Sequence, residues 1–140
     1  MISDNTAQDS TQTALKKFAK ADYLLFQKKY QPALLLFKEI LTNHKEETIV
    51  EATYLRLGTT YEKSGNHAEA LENYQQIIDN HKESIYIDEA LFYAAEILKT
   101  QQNNLELAKT YFERILFNHQ DSIFYIDAQR EFRILRGDEL

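Results

Sequence analysis

The stretch Tyr54-Leu55-Arg56-Leu57-Gly58-Thr59-Thr60-Tyr61-Glu62-Lys63-Ser64-Gly65-Asn66-His67-Ala68-Glu69-Ala70 decides the fold. Tyr54, Leu57, Gly58 and Tyr61 stand at i, i+3, i+4 and i+7, one stripe of an α-helix. Gly65 suits a left-handed cap closing that helix. Asn66 suits the N-cap of the next, with Glu69 at its third position. The second helix continues with Ala70, Tyr74, Ile77 and Ile78 on one face. Outward from this hairpin the same pattern recurs. Ala21, Gly58 and Ala95 are 37 and 37 residues apart, and Ala33, Ala70 and Ala108 are 37 and 38 apart. Phe37, Tyr74 and Phe112, then Ile40, Ile77 and Ile115, then His44, His81 and His119 follow at 37 and 38. A fixed period of this size means stacked helical hairpins.

The boundaries follow from the pattern. Residues 1–13 are polar and aperiodic, which predicts a disordered lead or linker. Residues 14–140 form one repeat domain, with copies at about 14–46, 47–83 and 84–121 and a capping helix at about 122–136. The first helix should end near Lys28 or Lys29, and Pro32 suits the first position of the second. Thr48 with Glu51 reads as a capping box, and Ser84 reads as the cap of the fifth helix. The turn Gln101-Gln102-Asn103-Asn104 is one residue longer than its counterparts, which explains the step from 37 to 38. Small residues at 21, 58 and 95 let each first helix approach the small residues at 33, 70 and 108. Arg133 holds the corresponding place in the last helix, where no further helix has to pack. Overpacking at Ala70 or Gly58 should therefore be costly.

Composition bounds the function. The chain has 16 Lys and Arg against 22 Asp and Glu, a net charge of −6. With no basic block, nucleic acid is not an expected partner, because phosphate binding needs clustered cations. No apolar run reaches the ~20 residues of a membrane span, so direct membrane insertion is not expected. There is no cysteine, hence no disulfide, thiol nucleophile or Cys-based zinc site; the compartment stays open. Met1–Thr13 lacks the apolar core of a signal peptide.

Candidate chemistry dissolves on inspection. The three joint histidines lie a whole helix pair apart, too far to share an ion at about 2.0–2.1 Å; each reads as a helix C-terminal residue, and no metal is expected. Carboxylates such as Glu46, Glu51, Glu62, Asp88 and Glu96 are spread over solvated positions, with no phosphate-cradling loop or nucleophile elbow. No cofactor and no catalysis are expected; a carboxylate-based hydrolase is the remote alternative. Arg130, Arg133 and Arg136 read as a solvated face. Arg136-Gly137-Asp138 and the terminal Asp-Glu-Leu read as chance matches to adhesion and retrieval signals.

The residues Tyr54, Leu57-Gly58, Tyr61, Gly65, Ala70, Tyr74 and Ile77 resemble the tetratricopeptide repeat (TPR). The resemblance spans about 14–136. It is strong in the second copy and weak in the first, where Lys17 and Lys20 hold apolar positions. It implies an all-α right-handed superhelix of three TPR-like hairpins plus a C-terminal capping helix, acting as a non-catalytic protein–protein interaction scaffold. It also implies a concave face carrying Phe18, Leu55 and Phe92, with Arg130 on the cap. Asp22, Thr59 and Glu96 lie one turn on, with Glu62 beside them. The carboxylate clamp of chaperone-binding members is missing, because Phe18 and Asp22 stand where its Lys and Asn would be. The joints Asn43-His44-Lys45-Glu46, Asn80-His81-Lys82-Glu83-Ser84 and Asn118-His119-Gln120-Asp121-Ser122 lengthen the usual period. They look like those of bacterial cell-envelope members, and the ending resembles the C-terminal region of large exported TPR proteins of Bacteroidetes. That resemblance implies a periplasmic or envelope location and a parent protein with upstream repeats; a cytoplasmic location stays open. The expected partner is a protein or peptide, held on the concave face or the open N-terminal edge. A structural spacer, or homo-oligomerisation through the N-terminal hairpin, is the alternative. The first hairpin is expected to be the weak end.

Overall fold

The computed structural model describes residues 2–138, with side chains from residue 8. Among these residues the only regular elements are seven α-helices: α1 (Ile2–Phe26), α2 (Tyr30–Asn43), α3 (Glu47–Lys63), α4 (His67–Asn80), α5 (Ile87–Thr100), α6 (Leu105–Asn118) and α7 (Tyr125–Arg136). They fall into two compact units, residues 1–70 and 71–140.

In the first unit α1 packs on α2, α2 on α3, and α1 also touches α3. Ala21, Ala33, Phe37 and Ile40 have no exposed surface, and Gly58 is buried. Ala21, Ala33 and Gly58 are small, which lets the helices approach closely, while Phe37 and Ile40 fill the space beside them. In the second unit α5 packs on α6 and α6 on α7. The same register is buried there: Ala95, Ala108, Phe112 and Ile115, with Tyr74 and Ile77 of α4. Arg133 is exposed.

All three hairpin turns use one device. Lys28, Gly65 and Asn103 hold the same place in each copy, and all three have left-handed backbone, φ +64°, +87° and +50°. The amide of Lys29 then reaches the Leu24 carbonyl, and the amide of Asn66 the Tyr61 carbonyl, each at 2.8 Å. This is the Schellman closure. In the third turn the extra residue shifts the bond to Asn104 N–Leu98 O, also 2.8 Å. The joint histidines end their helices through the main chain. The amides of His44, His81 and His119 donate to Ile40, Ile77 and Ile115, each at 2.9 Å.

Several expectations about helix ends are corrected. Residues 2–13 continue α1 rather than forming a disordered lead. Two contacts tie the described part of this segment to the α2–α3 joint. Ser10 Oγ lies 3.2 Å from Nδ1 of the buried His44, and Thr11 Oγ1 donates to Glu46 at 3.3 Å. α1 ends at Phe26, just before the cations. Pro32 is the third residue of α2, still in the first turn, where its missing N–H costs nothing. Thr48 does not cap α3; the cap position is Glu46 without a side-chain bond, and Glu51 is buried. Ser84 does not cap α5, which begins at Ile87. Its hydroxyl instead accepts from the Tyr86 amide at 3.0 Å, a small turn inside the joint. Ser122 repeats this on the Phe124 amide at 3.0 Å, so α7 starts at Tyr125 rather than at Ser122.

Candidate interaction face on the first helices

Two helices position the candidate residues of the first unit. α1 carries Phe18 and Asp22; α3 carries Leu55, Thr59 and Glu62. Phe18 is half-buried, its ring edge-on to Phe37 at 5.5 Å between centroids. The Arg56 guanidinium lies 5.8 Å from the Phe18 ring centre, and its Nε is 2.9 Å from Asp22 Oδ1. Phe18, Arg56 and Asp22 thus form one cluster: an aromatic floor, a cation over it, and an acid beside the cation. Both side chains stay partly open to water, Asp22 41% and Arg56 37% exposed, although the Arg56 Nε atom at the contact is buried. Such a pair contributes at most about 1 kcal/mol to folding. Leu55 is only 2% exposed and belongs to the core. Thr59 is half-buried and turns its hydroxyl back to the Leu55 carbonyl at 3.1 Å. Glu62 is half-buried. At one end of the face Asp22, Leu25, Phe26, Lys28, Tyr30 and Lys63 line a cleft of about 330 Å³.

In the second unit α5 carries Phe92 and Glu96, and α7 carries Arg130. Phe92 is half-buried. It stacks on Phe124 at 4.8 Å and meets Phe112 edge-on at 5.7 Å. Tyr93 and Phe124 meet at 5.6 Å, so an aromatic cluster holds α5 to the start of α7. Glu96 is 3.4 Å from Lys99, and Lys99 also bonds Glu131 of α7. Burial alone would lower the Lys99 ammonium; the hydrogen bond to Glu131 and the charge of Glu96 outweigh it and hold it above the ordinary lysine value. Arg130 pairs along its own helix with Asp127 at 3.2 Å.

The two units repeat one arrangement that the sequence reading missed. Asp22 and Arg56 occupy the same register positions as Glu96 and Glu131. In the first unit the two side chains are opposite in sign and pair directly. In the second they are alike in sign, and Lys99 bridges them. Arg56 and Glu131 stand one residue after Leu55 and Arg130, the positions followed for their apolar periodicity. A sign comparison at this spacing would have found them.

The other features singled out have structural employment. Asp88 Oδ2 accepts from Ser122 Oγ at 2.5 Å. It lines an open cleft of about 460 Å³ with Ser84, Ile85, His119, Asp121 and Ser122. Arg136 and Asp138 of the Arg-Gly-Asp tripeptide are bonded to each other, Nε to Oδ1 at 3.1 Å and again through Nη2 and Oδ2. Their mutual bond raises the guanidinium and lowers the carboxyl from their ordinary values. The last two residues of the Asp-Glu-Leu ending lie outside the described residues. No helix among the described residues is long and apolar enough to cross a membrane.

Comparison with curated proteins gave no significant match. A family model described as tetratricopeptide repeat matches residues 52–84 and 89–122, the second and third copies of the pattern, and these two matched repeats support a tetratricopeptide-repeat family for this chain.

Proposed function

We propose that the chain is a non-catalytic interaction module that binds a peptide or protein segment on the face of the first unit that carries Phe18, Asp22, Arg56, Thr59 and Glu62. The observation that carries this reading is the open ion pair of Asp22 and Arg56 over the Phe18 ring. Its charges are half-exposed yet held in place by packed helices. Groups fixed in this way recognise a partner's charges without a large ordering cost. Tetratricopeptide repeats generally mediate protein–protein contacts, which supports the same class of function. The resemblance of the joints to those of envelope proteins makes an envelope fraction the first place to seek the partner.

The test is cross-linked capture from that fraction with the full chain, with Arg56→Glu, and with the swapped pair Asp22→Arg/Arg56→Asp. Circular dichroism confirms that each variant is folded. A specific partner should be lost about ten-fold or more from Arg56→Glu, because a charge on a contact surface is reversed. Identical capture by all three proteins would show that this face is not the binding surface.

A further inference from the structure

The cleft of about 330 Å³ at the end of the Phe18–Asp22–Arg56 face combines an apolar wall with unmatched positive charge. The wall is Leu25, which is buried, Tyr30, which is half-buried, and the ring of Phe26, 83% exposed. The charged residues of the lining are Asp22, Lys28 and Lys63. Asp22 is taken by Arg56 at 2.9 Å. Glu62, the neighbour of Lys63, does not line the cleft. Lys28 and Lys63 are exposed, and neither has an ion-pair partner among the described residues. Two cations therefore face the cleft with no acid left to answer them. Its volume is at the small end of the roughly 300–1,000 Å³ of ligand pockets, which suits side chains and not a whole helix. Lys28 also stands where another residue would cost less. Of the three turn residues with left-handed backbone, Gly65 has no side chain to strain, and Asn103 is of a type that visits this region readily. Lys28 is neither. Strain of this kind points to a use for the side chain, and the use offered here is a cation on the cleft.

We propose that this cleft anchors the bound segment by an acidic side chain, Asp or Glu, that lies within two residues of a leucine, isoleucine or aromatic side chain. The inference rests on the function proposed above and names the class of segment that the face takes. The carboxylate would meet the ammonium groups of Lys28 and Lys63, as charge-assisted hydrogen bonds require. The apolar neighbour would cover the Phe26 ring and lie against Tyr30. A basic segment would be repelled by both lysines, and an acid without an apolar neighbour would leave Phe26 in water. The chain's own exposed pairs of this kind are Glu83 with Ile85 and Asp121 with Ile123. Both are bent into turns by the Ser84–Tyr86 and Ser122–Phe124 bonds. A free segment of another protein is therefore the better occupant.

The probe is a library of displayed heptapeptides tethered at their C-termini, so that acids enter only as side chains. It is panned on the full chain, on Lys28→Gly/Lys63→Ser and on Arg56→Glu, with urea unfolding to confirm each fold. The parent should enrich sequences that place Asp or Glu within two residues of Leu, Ile, Phe or Tyr. A synthetic peptide of such a sequence, followed by fluorescence anisotropy, should bind less tightly as salt rises. It should bind the double variant about ten-fold more weakly or worse, and its Asn or Gln twin should lose as much on the parent. Lys28→Gly alone should weaken binding about three- to five-fold without lowering the urea midpoint, so that lost binding is not lost fold. Lys82→Ser, which removes the same charge from the second unit, should leave binding unchanged. Enrichment of sequences without acids would overturn the proposal. So would a dimer in sedimentation that the double variant dissociates, or enriched peptides that bind the double variant as tightly as the parent. If those peptides are still lost from Arg56→Glu, the cleft falls and the face stands; no enrichment on the parent overturns both.

Discussion

Lys28 does the work of a glycine. Its φ of +64° matches that of Gly65 one copy later, yet a side chain in left-handed backbone is strained. The chain accepts this at the tip of the first hairpin and avoids it in the second. Lys28→Gly should raise stability by about 0.5–1 kcal/mol, with the gain partly offset by the greater freedom of glycine when unfolded. A shift of the urea midpoint to higher concentration, with unchanged slope, checks it. The opposite sensitivity holds at the buried alanines. Ala70 has no exposed surface, so Ala70→Phe should cost about 1–3 kcal/mol by overpacking. Chemical denaturation overlaying that of the parent would refute the packing described. At this scale the sequence was legible wherever a small or apolar residue repeated, as at 33, 70 and 108. It was not legible at Lys28, because nothing in a lysine announces left-handed backbone. Nor was it at Arg56, because a charge paired across two helices has no period of its own.

The elements show why helix ends were harder to read than helix faces. Buried faces are set by the spacing of apolar residues, which the sequence displays directly. Ends are set by which competing local hydrogen bond wins, and that depends on neighbours brought in by folding. Ser84 and Ser122 have the side chain of a helix cap, but each bonds the amide two residues on and delays its helix by a turn. Ser122 is held further by its bond to Asp88, a residue of another helix. Ser122→Ala removes the acceptor for the Phe124 amide and the donor to Asp88, and should cost about 1–2 kcal/mol. Thermal unfolding of Ser122→Ala beside Ser84→Ala, which lacks the second bond, measures the difference. The start of α1 misled the reading for a related reason. Residues 8–13 have no apolar stripe, so periodicity was silent, while contacts to His44 and Glu46 hold the segment in place.

At the scale of the molecule, two groups set the response to alkali. Lys99 is raised above its ordinary value, and burial raises the Tyr111 phenol above the usual tyrosine value. Both folded groups hold their proton more tightly than the unfolded chain does. Their contribution is therefore complete below the ordinary values of 10.5 and 10.0, and is lost as pH rises through the folded ones. Melting temperature should fall above about pH 10, and less steeply in Tyr111→Phe. Hydrogen exchange should also differ along the chain. α1 leaves Leu15, Tyr23 and Phe26 uncovered, whereas α5 buries seven of its residues. Amides of residues 14–44 should exchange faster than those of 85–135 in dilute monomer; uniform protection would contradict this.

The third hairpin turn holds one residue more than the others, yet Ala108, Phe112 and Ile115 beyond it remain wholly buried. Length added at the turn is absorbed there and does not propagate into the helices. The turn is accordingly a graft point. The native chain has no cysteine, and Gln102 in this turn is exposed. Gln102→Cys would give a single thiol for a fluorophore or a surface tether, at a position whose backbone already tolerates an added residue. The protein thus offers its own handle for labelling.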